Sequence, residues 1–154
     1  MAAASSSRPH SVLFACGMNA VRSPMAAAIA QQMFGQSLYV VSAGVQKGEL
    51  DPFAVAAMDE IGIDISRHKP VTFEEVEDLE GLNFDLIVTL SPEAHHKALQ
   101  LTATSATEVE YWPTPDPVGV EGRRELQLDA YRHVRDSLQR RIRERFAPAA
   151  IKNE

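Results

Sequence analysis

Short apolar runs alternate along the chain with segments whose apolar positions recur at helical spacing. Residues 11–15 read as a first strand, and the alanine-rich stretch 23–34 as a first helix with Gly35 as its stop. Residues 38–43 predict a second strand ending at Gly44. Asp51-Pro52 supplies a capping side chain followed by proline, so a second helix is expected from there to Ile61, stopped by Gly62. Thr72, with Glu75 three residues later, predicts a capping box and a short acidic helix. Residues 84–90 are almost continuously apolar, which suits a central strand covered on both faces. Ser91-Pro92 opens another helix, residues 108–112 form a fourth strand, and a last helix covers 122–146. In that helix Leu126, Ala130, Val134, Leu138, Ile142 and Phe146 recur every four residues with Tyr131 beside them, which predicts one buried stripe. Its arginines, Arg132, Arg135, Arg140, Arg141, Arg143 and Arg145, are expected on a solvated face. Strands alternating with helices argue for an α/β fold with a parallel sheet.

At 154 residues the chain is long enough for one well-cored domain, with 45% hydrophobic and 23% charged residues. The expected division is a mobile N-terminal tail (1–10), a single domain (11–146) and a C-terminal tail (147–154). A formal net charge of −6 argues against nucleic acid as a partner. No apolar run approaches the ~20 residues a membrane span needs. The first ten residues lack the apolar stretch of a secretory signal. The single cysteine excludes an intrachain disulfide and fits a reducing, cytoplasmic setting.

That cysteine changes the picture. Cys16-Gly17-Met18-Asn19-Ala20-Val21-Arg22-Ser23 lies between the first strand and the first helix. A helix N-terminus leaves backbone N–H groups unpaired and carries about half a positive charge, so it attracts phosphate-like anions. Successive loop N–H groups can add a concave nest of donors. Arg22 offers a planar fork matched to two oxyanion oxygens. Such an electropositive loop favours the thiolate, the attacking form of a cysteine. Asn19 suits a position needing a left-handed backbone. Ser23 is expected to cap the helix and to point its hydroxyl at the sulfur, with Pro24 at the first helical position. The loop as a whole predicts a thiol poised to attack a tetrahedral oxyanion.

In open parallel sheets ligands sit beyond the carboxyl ends of the strands. Cys16 follows the first strand, and the loop after the fourth strand (113–119) should reach the same edge. That loop holds one acid, Asp116, between Pro115 and Pro117. A thiolate attacking a phosphate ester needs an acid to protonate the leaving oxygen, and the same carboxylate can then activate water. His68, His95 and His96 lack metal-ligand spacing, so no metal is expected.

The chain resembles the low-molecular-weight protein tyrosine phosphatase family, and the thioredoxin-linked arsenate reductases that share its fold, over residues 11–146. Five ordered landmarks carry the resemblance: Cys16 to Pro24 as Cys-x5-Arg-Ser-Pro, Ser42-Ala43-Gly44, Asp51-Pro52, Gly62 to Ser66, and Asp116-Pro117. The resemblance implies a three-layer α/β/α domain with a four-stranded parallel sheet in the order 2-1-3-4, the phosphotyrosine phosphatase I-like fold. It implies Cys16 as nucleophile, Arg22 as phosphoryl clamp, Ser23 as the hydroxyl that stabilises the sulfur, and Asp116 as general acid. Gly17, Met18, Asn19, Ala20 and Val21 complete the phosphate-binding loop, supported by Asn19 and Ser42. It implies no cofactor, and as substrate a phosphorylated protein, a small phosphoester or an inorganic oxyanion.

Departures bear on substrate. Val21 stands where many members carry a second cysteine, and Gly17 where a bulky residue is usual. Val118 and Gly119 follow the acid in place of aromatics, so a phosphotyrosine ring is expected to find few packing partners. The acid-loop region looks closer to the reductase branch. After the third strand, however, Thr89 to His96 contains no resolving cysteine, so arsenate reduction would need an external thiol. A non-catalytic phosphate-binding module is the remaining alternative.

Overall fold

The computed structural model describes residues 8–148. Residues 1–7 and 149–154, which hold most of the two expected tails, lie outside the described residues. The elements run β1 (Ser11–Cys16), α1 (Arg22–Phe34), β2 (Tyr39–Gly44), α2 (Pro52–Asp59), α3 (Phe73–Glu80), β3 (Leu86–Thr89), α4 (Pro92–Leu101), β4 (Glu108–Tyr111) and α5 (Arg124–Phe146). The four strands form one parallel sheet in the order β2-β1-β3-β4, as expected.

Side-chain alternation along the central strands builds the two faces. Val12, Phe14 and Cys16 of β1 join Leu86 and Val88 of β3 in a core closed by α1, α2 and α5. Leu13, Ala15 and Ile87 point the other way and are covered by α3 and α4. The sheet is thus sandwiched between helical layers, and the central strands read as apolar on both faces because both are covered.

Local signals set most helix starts. Asp51 caps α2 through a bond from Phe53 N–H of 2.8 Å. Thr72 and Glu75 form the reciprocal capping box of α3, and Ser91 caps α4. Gly62 takes the left-handed backbone (φ 78°) that lets the chain turn after α2. Gly35, by contrast, stays right-handed (φ −62°), so α1 ends without the glycine turn expected there.

Tertiary packing alters the reading of the last helix. Its buried face runs through Leu128, Tyr131, Val134, Leu138, Ile142 and Phe146, whereas Leu126 is exposed. The buried stripe therefore begins at Leu128, two residues later than expected; in the first turn it is Arg124, over Phe53, that meets α2. Arg135 is not solvated either. It is buried, donating to the Ala57 carbonyl (2.7 Å), Glu60 (2.8 Å) and Asp136 (2.8 Å). Arg132 joins it on Glu60, and the two guanidiniums hold that carboxyl down at about 2. A charged clamp thereby ties α5 to the C-terminal end of α2.

Phe146 meets Phe14 edge-on at 6.2 Å and lies against Trp112 and Phe34 beneath the sheet. Truncating it leaves a cavity at the centre of the larger core. Phe146→Ala is expected to cost about 3–5 kcal/mol of stability, measured by urea denaturation. A loss below about 1 kcal/mol would mean that the end of α5 is not part of the cooperative core.

Candidate active site

The 16–23 loop leaves the carboxyl end of β1 and turns directly into α1. Its carbonyls are engaged by the neighbouring loop. Val45, Gln46, Gly48 and Asp51 N–H groups donate to the carbonyls of Cys16, Gly17, Met18 and Ala20 at 2.9–3.2 Å. With the carbonyls held outward, the amides of residues 17–21, which donate to no protein acceptor among the described residues, are left to form an anion cradle. Gly44 has to be glycine here. A Cβ would lie 2.7 Å from Asn19 N and 2.4 Å from the Gln46 carbonyl.

Asn19 holds the loop in shape. It is fully buried, and it is the one described non-glycine residue with a positive φ, 54°. Its Nδ2 donates to Ser23 Oγ (2.8 Å) and Ser42 Oγ (3.0 Å). Its Oδ1 accepts from Val71 N–H (2.9 Å) and faces His68 Nε2 (3.1 Å). Both atoms near Nε2, Asn19 O and Oδ1, are acceptors, which assigns the ring proton to that nitrogen. The left-handed backbone expected at Asn19 is present, and Ser42 joins the network.

Ser23 Oγ stands 3.0 Å from Cys16 Sγ, and the Ser23 N–H points to the same sulfur at 3.4 Å. The hydroxyl also reaches the Ala43 carbonyl at 3.3 Å. Ser23 does not cap α1, as had been expected. The helix begins at Arg22 with Val21 in the cap position and no capping side chain, and the serine hydroxyl serves the thiol instead. Pro24 accordingly sits in the third helical position, where its missing N–H is still harmless.

Arg22 lies largely buried at the base of the cleft. Its NH1 donates to the Thr114 carbonyl (3.0 Å), and its NH2 is 3.9 Å from Asp116 Oδ2. The β4–α5 loop therefore reaches the 16–23 loop, as the sheet-edge argument requires. Asp116 turns its other oxygen to the Val118 N–H (3.0 Å) and keeps its side chain exposed. Trp112 is core, with its ring edge-on to Phe14.

Cys16, Met18, Ala20, Val21 and Arg22 floor a cleft of about 840 Å³. One wall is Glu49, Leu50, Asp51 and Phe53, and the other is Asp116 to Gly122, with Gln127 and Tyr131 at the back. The cleft is not without aromatics. They come from α2 and α5 rather than from the acid loop. Phe53 stacks on Tyr131 at 5.3 Å, and the Arg124 guanidinium lies over Phe53 at 5.3 Å. No local sequence signal pairs residues 53 and 131. Burial, with Asp51 beside it, pushes the Tyr131 phenol well above its ordinary value, and the charge of Asp116 adds to this. The remaining histidines stand apart. His95 stacks on Tyr111 and bonds Thr89, and no group of three metal-binding side chains occurs among the described residues. No helix among them is long and apolar enough to cross a membrane.

Comparison with known proteins places this geometry. The sequence profile of the low molecular weight phosphotyrosine protein phosphatase family matches residues 11–154. An arsenate reductase of Bacillus subtilis (strain 168) is 36% identical over 134 residues, which cover 86% of this chain and 92% of that protein. Among solved structures, a low molecular weight protein tyrosine phosphatase from T. tengcongensis superposes with a TM-score of 0.69 at 28% identity, covering 86% of this chain and 94% of that one. An arsenate reductase in its phosphate-binding state does so with a TM-score of 0.68 at 26% identity, covering 89% and 96%.

His68 gives the network a pH signature. Burial holds its pKa below the ordinary 6.5, against the opposing bond to Asn19. The unfolded chain thus takes up this proton first, and stability falls as pH drops below about 6.5. His68→Gln is expected to flatten the dependence of melting temperature on pH between about 5 and 6.5. Identical slopes in the two proteins would refute this coupling.

Proposed function

Because the chain belongs to the low molecular weight phosphotyrosine protein phosphatase family, we propose that it hydrolyses phosphate monoesters through a phosphocysteine intermediate. The observation that carries this reading is the meeting of Cys16, Ser23, Arg22 and Asp116 at one cleft. The phosphoryl group sits in the amides of residues 17–21, with the Arg22 fork on its oxygens. Cys16 thiolate attacks phosphorus in line, and the ester oxygen departs with the proton of Asp116. Water then gives a proton to Asp116 and its oxygen to phosphorus. The sulfur leaves as thiolate, and inorganic phosphate is released.

Ser23 serves both steps. Its oxygen accepts from Asn19, so its single hydrogen has two acceptors within reach, Cys16 Sγ and the Ala43 carbonyl. When the sulfur is anionic, the hydrogen turns to it. That stabilises the thiolate both as nucleophile and as leaving group.

A second reading is favoured by the 36% identity to a protein named arsenate reductase. The cradle would accept arsenate as it accepts phosphate. The chain has one cysteine, however, and the segment after β3, Thr89 to His96, holds no resolving thiol; Ser91 within it is engaged as the cap of α4. Reduction would therefore consume an external thiol as the electron donor, which makes ester hydrolysis the simpler chemistry for this site.

The test is hydrolysis of para-nitrophenyl phosphate without added metal or thiol. Wild type is expected to turn over, Cys16→Ser to be inactive, and Asp116→Asn to lose about 10²-fold or more. A folded wild type that shows no ester hydrolysis but reduces arsenate with an added thiol would replace the phosphatase reading with the second one.

A further inference from the structure

Asp116 stands on a loop whose backbone is bonded to other elements only at its upstream end, with Arg22 NH2 3.9 Å from the carboxylate and Pro117 buried beside it. Upstream, Trp112 N–H and Thr114 N–H donate to the Thr89 and Leu90 carbonyls at 2.8 and 3.2 Å. From residue 115 to 121 no backbone bond joins the loop to another element among the described residues. Gly119 and Gly122 adopt left-handed backbones, φ 90° and 122°, before α5 begins. Beyond Pro117 no backbone bond to another element intervenes before α5, so the downstream course of the loop follows from where the first turns of α5 lie.

Two turns into α5, Tyr131 is buried to 3% exposure and donates its hydroxyl to Asp51 Oδ2 at 2.6 Å. The other oxygen of Asp51 caps α2, and the Asp51 N–H donates to the Ala20 carbonyl at 3.2 Å. A continuous path of hydrogen bonds thus runs from the 16–23 loop through Asp51 to Tyr131, and the chain itself continues from α5 back into the acid loop. Phe53, stacked between Tyr131 and Arg124, stiffens the same junction.

We propose that the Asp51–Tyr131 hydrogen bond is a positioning strut that sets the distance between the acid loop and the phosphate loop. Tyr131 touches neither sulfur nor phosphoryl group in this scheme. It acts through Asp116, by fixing the end of the segment that carries the acid. The inference rests on the phosphatase reading for its catalytic consequence, and on the fold alone for its mechanical one.

The strut makes an unusual demand on kinetics. Attack by Cys16 and clamping by Arg22 are held by α1 and the Asn19 network, which the strut meets only through the Asp51 N–H on the Ala20 carbonyl. Removing the phenolic hydroxyl should impair leaving-group protonation and little else. In Tyr131→Phe, kcat/KM for phenyl phosphate, whose leaving group has a pKa of about 10, should fall about tenfold or more. With 2,4-dinitrophenyl phosphate, whose leaving group needs no proton, it should change by less than about twofold. Equal losses on both esters would assign Tyr131 a purely structural role and overturn the proposal.

Amide hydrogen exchange reads the strut without any turnover. In the same variant the amides of Asp51 and Phe53 should exchange roughly three- to tenfold faster, with those of Leu13 and Ile87 in the sheet unchanged. Unchanged exchange at Asp51 and Phe53 would also overturn it. If wild type hydrolyses no ester while Tyr131→Phe still loosens those two amides, the strut stands and the phosphatase reading falls.

Discussion

The site depends on one side-chain amide in a left-handed turn. Asn19 is buried, sits at φ 54°, and joins Ser23, Ser42, Val71 and His68 through its two polar ends. A positive φ is unfavourable for a residue with a Cβ, and it persists only where surrounding structure over-determines it. Here four partners do so. The turn in the backbone at residue 19 lets the carbonyls of residues 16, 17, 18 and 20 meet the 45–51 loop while their amides collect on the other side. Aspartate in this place would lack the two Nδ2 donors, and glycine would lack the network altogether.

Much of this architecture was legible in the sequence because it is written locally. Strand faces follow from alternation, helix starts from Asp51, Thr72 and Ser91, and the oxyanion loop from the order Cys16, Asn19, Arg22. The errors lie where distant elements decide. Ser23 has the chemistry of a helix cap, and only the proximity of Cys16 Sγ and Ala43 turns its hydroxyl elsewhere. Arg135 carries a charge that predicts exposure, but the Ala57 carbonyl and Glu60 draw it into the core. Leu126 fits the four-residue spacing but stands exposed in the first turn of α5, where Arg124 makes the contact with Phe53. The aromatics of the cleft were sought next to Asp116. They come instead from residues 53 and 131, brought together by the packing of α2 against α5. Helical period names a face but not what the face will touch.

Phosphoryl transfer and oxyanion reduction differ in how many thiols they require. A single cysteine permits attack on phosphorus and return of the sulfur unchanged, a cycle that balances with water alone. Reduction of an oxyanion removes electrons from sulfur and needs a second thiol to restore them. In this chain the residue before Arg22 is Val21, packed in the core, and the segment after β3 holds a capping serine, Ser91, and no cysteine. Both residues serve folding roles, and the chain's single cysteine leaves no second thiol for an internal relay.

The hydrogen bonds that shape the cleft connect residue 19 to 42, 68 and 71, residue 20 to 51, residue 22 to 114, and residue 51 to 131. No fragment of the chain contains the site; it exists only when β1, β2, β4 and α5 are all in place. Anion affinity is therefore a property of the native state alone, and occupancy is linked to global unfolding by mass action. An oxyanion held at 100 times its dissociation constant adds about 2.7 kcal/mol to the free energy of unfolding. On the proposed phosphatase reading, inorganic phosphate, the product, would thus act as a folding ligand for the enzyme that releases it.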